Sequence, residues 1–137
     1  AAKAFGMPMG PVEIADTVGL DVCLSVVKLL GGDSAQQETE LLSEKVTAGE
    51  LGRKTGKGFY TWEKGKPKRG DVDFDRYDLE DIAESLMQPY LDTCQAALAD
   101  GIVEDEDVLD AGMIFGTGFA PFRGGPMHYL KNKGVAK

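Results

Sequence analysis

Few residues of the kinds that carry out chemistry occur in this sequence. Its 137 residues include one histidine, His128, and two cysteines, Cys23 and Cys94. Histidine is the usual general base of enzymes, and cysteine and histidine are frequent metal ligands. His128 could act as a base, but no carboxylate that would orient it lies nearby in sequence, which favours a structural role. We therefore predict no catalytic residue and no metal site in this chain.

Long apolar runs and positive charge are also scarce. No run approaches the roughly 20 apolar residues that a membrane-spanning helix needs, so no membrane span is expected. The 15 Lys and Arg residues are outnumbered by 23 Asp and Glu residues, which gives a net charge of -8. This balance argues against a nucleic-acid partner. Both cysteines lie in apolar helical patterns, which favours free buried thiols over a disulfide and indicates a cytoplasmic location.

No segment alternates with period two for long enough to build a sheet, so the sequence predicts an all-α fold. Helical periodicity predicts helices over residues 20–30, 35–48, 79–100 and 104–115. Asp21 is placed to cap the first of these, and Ser34 with Gln37 resembles a capping box for the second. Residues 49–70 are rich in glycine and predict a loop with a short extended aromatic segment at 58–62. A linker is expected over residues 65–77.

A glycine-proline motif occurs twice and is the most informative feature present. It reads GMPMGP at residues 6–11 and GFAPFRGGP at residues 118–126, and each copy is closed by a glycine eight residues beyond its last proline. Proline favours the first position of a helix and glycine favours its end. The repeat predicts two helical copies, over residues 1–70 and 71–137, packed as one compact unit. Only the second copy has a long leading helix, so we expect a piece of a longer protein.

Two glycine-rich stretches resemble nucleotide-binding motifs without matching them. Residues 116–121 begin like a dinucleotide fingerprint, but a helical pattern precedes them and proline replaces the third glycine. Residues 52–58, GRKTGKG, resemble a phosphate-binding loop, but the glycine spacing is too short and no Ser or Thr follows Lys57. The sequence therefore predicts no cofactor-binding residue in this chain.

The same region concentrates positive charge. Seven of the 15 basic residues fall within 17 positions: Arg53, Lys54, Lys57, Lys64, Lys66, Lys68 and Arg69. This basic segment, residues 53–69, either contacts an anion, such as a phosphate-bearing substrate or an acidic domain, or is a solvated loop that pairs with the acids at 71–81. The second interpretation is favoured because charge runs usually face water.

Longer stretches of the sequence resemble a known family. Residues 5–21, FGMPMGPVEIADTVGLD, and 51–60, LGRKTGKGFY, resemble the C-terminal helical region of the 3-hydroxyacyl-CoA dehydrogenase family. Residues 110–129, DAGMIFGTGFAPFRGGPMHY, resemble the second C-terminal copy of the multifunctional fatty-oxidation α-subunits, which also carry enoyl-CoA hydratase activity. The resemblance implies an NAD-dependent oxidation of L-3-hydroxyacyl-CoA. In the family a preceding Rossmann domain binds NAD and supplies the catalytic histidine and glutamate, and His128 does not match that histidine.

The resemblance also implies site residues and partners. The family's substrate-contacting asparagine lies on the leading helix that the first copy lacks, so this chain alone is expected to be inactive. The expected substrate-cleft residues are Met7, Pro8, Met9, Gly10 and Pro11, and Lys54 and Lys57 are candidates for contact with the CoA phosphates. Expected partners are the protein's own NAD-binding domain and either a second copy or a thiolase subunit. The alternative function is a purely structural assembly module.

Overall fold

The computed structural model describes residues 1–31, 36–71 and 73–135, and the chain divides into two compact units. The first unit is Pro11–Val72, and the second combines Ala1–Gly10 with Asp73–Lys137. In chain order the elements are α1 (Ala2–Phe5), α2 (Pro11–Val18), α3 (Leu20–Leu30), α4 (Gln36–Thr47), β1 (Thr61–Glu63), β2 (Lys66–Lys68), α5 (Leu79–Ala99), α6 (Glu106–Thr117) and α7 (Pro126–Val135). The predicted all-α fold is confirmed.

Three helices build the first unit. α2 begins at Pro11, as expected of a proline at the first helical position, and α3 packs against α4. Gly19, with a φ of +112°, is the N-cap of α3. The predicted capping role of Asp21 is wrong, because Asp21 lies inside the first turn and its carboxylate accepts hydrogen bonds from Lys54. The predicted capping role of Ser34 lies outside the described residues.

A short β-hairpin follows these helices within the predicted loop. β1 and β2 pair antiparallel with Trp62 opposite Pro67 and Glu63 opposite Lys66. The two-residue turn has positive φ at both positions, +50° at Lys64 and +77° at Gly65, which is the geometry that matches the twist of hairpin strands. The predicted linker is therefore wrong at residues 66–68, which form a strand, whereas β1 overlaps the predicted extended aromatic segment.

The second unit is built around α5. The Asp78 carboxylate accepts hydrogen bonds from two backbone amides of the first turn of α5, and Asp105 caps α6 in the same manner. The predicted helices over 79–100 and 104–115 are confirmed to within two residues at each end. α7 begins at Pro126, as the repeated motif predicts, but it continues one residue beyond the predicted stop at Gly134.

The core of the second unit joins α1 to α5 and to the segment after α6. Its buried side chains are Phe5, Ala83, Met87, Leu91 and Phe119, and Cys94, Leu109 and Met127 form a neighbouring cluster. The rings of Phe5 and Phe119 meet edge to face with centroids 5.7 Å apart. Within the described part of the chain, no helix combines the length and apolar character required to cross a bilayer.

Candidate functional site

The carboxylate of Asp16 fixes the path of the glycine-rich loop in the first unit. Asp16, on α2, is fully buried and accepts hydrogen bonds from the amides of Phe59 (2.9 Å) and Tyr60 (2.8 Å). A third bond comes from the indole Nε1 of Trp62 at 2.9 Å. A carboxylate with this many donors is well compensated for its burial. The loop is therefore held on α2 at the point where it enters the hairpin.

Two glycines allow the loop to approach Asp16 so closely. A Cβ atom on Gly52 would collide with the backbone of Asp16, and one on Gly58 would collide with its carboxylate. Gly52 also has a φ of +91°, which L-residues with side chains rarely adopt. The glycine spacing that resembles a phosphate-binding loop therefore serves packing against Asp16.

Most cations of the basic segment are paired within the first unit. The pairs are Lys54 with Asp21 (2.5 Å), Lys57 with Glu50, Lys68 with Glu63 (3.0 Å) and Arg69 with Glu13 (2.6 Å). These carboxylates lie at positions 13–63. The sequence favoured pairing of the basic segment with the acids at 71–81. That prediction is wrong for these four cations.

Glu50 lies between two lysines. Lys45 and Lys57 both form ion pairs with its carboxylate, and Lys45 also donates to the carbonyl oxygen of Gly58. Hydrogen bonds from Lys45 first, and Lys57 second, lower the pKa of Glu50 to about 2. Lys57, a predicted phosphate contact, is thus already engaged by a carboxylate.

The other predicted site residues run from the second unit into the first. Met7 packs against the core around Phe5, and a Cβ on Gly118 would touch the ring of Pro8. Met9 and Gly10 are half-buried and follow directly. Pro11 is the first residue of α2 and belongs to the other unit.

A cavity of about 300 Å³ lies in the second unit. It is lined by Ala4, Phe5, Leu79, Glu80, Ala83, Glu84, Arg123 and Tyr129. The Arg123 guanidinium stacks over the Phe5 ring at 4.1 Å and the Tyr129 ring at 5.1 Å, and its Nε donates to the Phe5 carbonyl oxygen at 2.8 Å. Both acidic residues lie on α5, so the cavity presents charges of both signs.

His128 lies at the start of α7, next to the buried carboxylate of Asp110. The hydrogen bonds to that carboxylate come from backbone amides and not from the imidazole of His128. Asp110, on α6, accepts hydrogen bonds from the backbone amides of Met127 (2.7 Å) and His128 (3.0 Å). The His128 residue itself is exposed. Asp110 thus caps the amino end of α7, where the helix dipole favours negative charge.

The two thiols are unsuited to nucleophilic attack. Burial raises the pKa of both Cys23 and Cys94, which keeps them protonated near neutral pH. Both are free in the structure. Within residues 1–31, 36–71 and 73–135, no group of three His, Cys, Asp or Glu side chains is placed to hold a metal ion.

The glycine-rich stretch at residues 116–121 does not fit a dinucleotide fingerprint. Gly116 and Thr117 are the last residues of α6, and Gly118, with a φ of +75°, is its left-handed C-cap. A dinucleotide fingerprint instead follows a strand and opens a helix, so that phosphate meets the positive helix end. The stretch therefore has the opposite polarity to a dinucleotide site.

Comparison with known proteins finds a family match for part of the chain and similarity to longer relatives. Residues 1–62 match the family described as 3-hydroxyacyl-CoA dehydrogenase, C-terminal domain. This match agrees with the resemblance that the motifs predict. Over 96% of its length the chain is also similar to the fatty acid oxidation complex subunit alpha of Vibrio campbellii, at 36% identity, and of Vibrio parahaemolyticus and Vibrio vulnificus, at 35%. The chain spans about a fifth of the length of these relatives.

Sequence reasoning missed two features of this chain. The anchoring role of Asp16 depends on residues more than 40 positions away, and nothing local to Asp16 signals it. The cavity around Arg123 draws on α1, α5 and α7, which are far apart in sequence. The one available signal was the arginine within an otherwise apolar and glycine-rich motif, APFRGGP.

Proposed function

We propose that the protein carrying this chain is a fatty-oxidation α-subunit that oxidises L-3-hydroxyacyl-CoA to 3-ketoacyl-CoA with NAD. The observation that carries the proposal is the similarity to fatty acid oxidation α-subunits along 96% of the chain. NAD is assigned to a Rossmann domain outside this chain, and the opposite polarity of residues 116–121 supports this assignment. Enoyl-CoA hydratase activity on the same polypeptide and a cytoplasmic location belong to the same proposal.

In this proposal the chain supplies packing surfaces and part of the substrate cleft. Met7, Pro8, Met9, Gly10 and Pro11 line that cleft, and the basic segment, which includes the sequence candidates Lys54 and Lys57, meets the CoA phosphates. Support for the cleft comes from the family match, which includes residues 7–11. No reacting atom is assigned to this chain.

The activity test uses the full-length protein and this chain in parallel. With NADH and acetoacetyl-CoA, the full-length protein is expected to lower the nicotinamide absorbance, and the 137-residue chain is expected to leave it unchanged. Turnover by the chain alone would contradict the assignment of the catalytic groups to another domain. A full-length protein without any 3-ketoacyl-CoA reduction would overturn the proposed function.

The second candidate is an assembly module, and an apolar surface favours it. Val22, Val26 and Leu29 are spaced along one side of α3 and are 44%, 46% and 81% exposed. Side chains of this kind usually pack against a partner when they are contiguous. The proposed partners are the protein's own NAD-binding domain, a second copy, or a thiolase subunit. Sedimentation of the chain as a dimer would favour this candidate.

A further inference from the structure

We propose that Arg53, Lys64 and Lys66, at the tip of the β-hairpin, bind the phosphate groups of the acyl-CoA substrate. The inference rests on the proposed function for the nature of the ligand. It rests on the structure for the choice of residues, since only some cations of the basic segment are available to an incoming anion.

The ion pairs separate the seven cations into two sets. Lys54, Lys57, Lys68 and Arg69 each face a carboxylate within the first unit. In the described part of the chain, no carboxylate lies within ion-pair distance of Arg53, Lys64 or Lys66, and all three residues are exposed. A phosphate group would have to displace an existing partner from the first set. A phosphate group can bind Arg53, Lys64 or Lys66 without displacing a carboxylate.

The three unpaired cations belong to one turn and its immediate surroundings. Lys64 and Lys66 flank Gly65, and a Cβ atom built on Gly65 would lie 3.3 Å from Nη2 of Arg53. The guanidinium therefore lies directly beside the turn. Because Gly65 has no side chain, one ligand can approach the guanidinium and both lysines together. Arginine binds phosphate through two parallel N–H groups, and lysine adds point charges.

The tip is held in place before any ligand arrives. Trp62, in β1, donates its indole N–H to the buried Asp16, and the Arg53 guanidinium stacks over the Trp62 ring at 5.9 Å. The chain from α2 to the tip is thus connected by a buried hydrogen bond and a cation–π contact. Preorganisation of this kind lowers the entropic cost of binding.

Lys64 occupies a position that does not favour lysine. Its φ of +50° is the left-handed conformation, in which glycine, asparagine and aspartate are the common residues of such turns. A role of Lys64 in binding the phosphate groups accounts for a lysine at this position.

The test replaces the unpaired lysines in the full-length protein. The variant Lys64→Asn, Lys66→Gln removes two charges, and asparagine suits the left-handed position, so the turn is retained. We expect the KM for 3-hydroxyacyl-CoA and the Kd for CoA from calorimetry to rise about fivefold, because two exposed charge contacts are lost. The kcat, the KM for NAD and the KM for an S-acyl pantetheine, which lacks the nucleotide phosphates, should stay unchanged.

The matched control is Lys68→Gln, Arg69→Gln, which removes the same charge from paired positions. It should leave both CoA constants within twofold of the original protein. The inference is overturned if this control has the larger effect, because the phosphate contacts would then lie among the paired cations. Equal effects on acyl-CoA and acyl-pantetheine, a change confined to NAD, or no change in CoA affinity would also overturn it. A protein without dehydrogenase activity refutes the proposed function alone, since calorimetry with CoA still decides this site.

Discussion

Asp16 and Asp110 are buried carboxylates that join segments far apart in sequence. Asp16 binds the loop 43 to 46 positions ahead of it, and Asp110 binds the first turn of α7. In each case, glycines lacking a Cβ let the backbone come within reach, Gly52 and Gly58 at Asp16 and Gly125 at Asp110. The carboxylates are therefore part of how each unit folds, and their burial is compensated by amide donors.

Replacement of Asp16 by asparagine should weaken the first unit strongly. Asparagine removes the charge and sets an NH₂ group against donors, so at least one of the three hydrogen bonds is lost in a buried site. We expect the free energy of unfolding to fall by about 3 kcal/mol, measured by urea denaturation. The control Asp21→Asn breaks an exposed ion pair and should lower the free energy of unfolding much less. Equal losses in the two variants would refute the anchoring role of Asp16.

Glu50 gives the first unit a specific sensitivity to acid. Its pKa is about 2 in the folded chain, against an ordinary value of 4.5, so folding favours the charged carboxylate. The stabilisation is complete above about pH 4.5 and is lost as the pH falls towards 2. The variant Glu50→Gln should therefore be less stable than the original chain at pH 6 and equally stable near pH 2. A difference in urea midpoints that does not vary with pH would contradict this prediction.

At the scale of elements, periodicity succeeded where segments are long and failed where they are short. The bounds of α3 could be predicted from Leu20 to Leu30, because apolar residues recur at helical spacing and glycine follows. The hairpin could not be predicted in this way, because each strand has only three residues and β2 carries two lysines and a proline. The hairpin depends on the bond from Trp62 to Asp16, a contact that is not visible in local sequence.

The N-cap of α5 offers a test at this scale. The Asp78 carboxylate accepts hydrogen bonds from the amides of Glu80 (3.0 Å) and Asp81 (3.1 Å). Asp78→Ala leaves these donors to water and should lower the stability of the second unit by about 1 kcal/mol. Asp75→Ala, in the exposed turn before the helix, removes the same charge without a cap and should change stability by less than about 0.5 kcal/mol. Thermal unfolding followed by circular dichroism compares the two.

For the whole molecule, the exposed side of α3 shows that the first unit has apolar surface beyond what its own core uses. We expect the 137-residue chain to associate as its concentration rises, and Val26→Glu with Leu29→Glu to abolish that association. Because both side chains are largely exposed, the urea midpoint should stay unchanged. Lys28→Glu, which is exposed on α3 but about 120° around the helix from Val22, Val26 and Leu29, is the control and should leave association intact. Sedimentation equilibrium measures the outcome, and association that survives the double variant would place the contact elsewhere.

Pro67 prevents another strand from pairing with the outer edge of β2. In a hairpin closed by a two-residue turn, Glu63 and Lys66 form the hydrogen-bonded pair nearest the turn, so residue 67 would direct its N–H outward. Proline has no N–H to offer there, and lysines occupy both neighbouring positions. A further strand cannot extend this edge in register, so the hairpin is protected from the edge-to-edge pairing that leads exposed strands to aggregate.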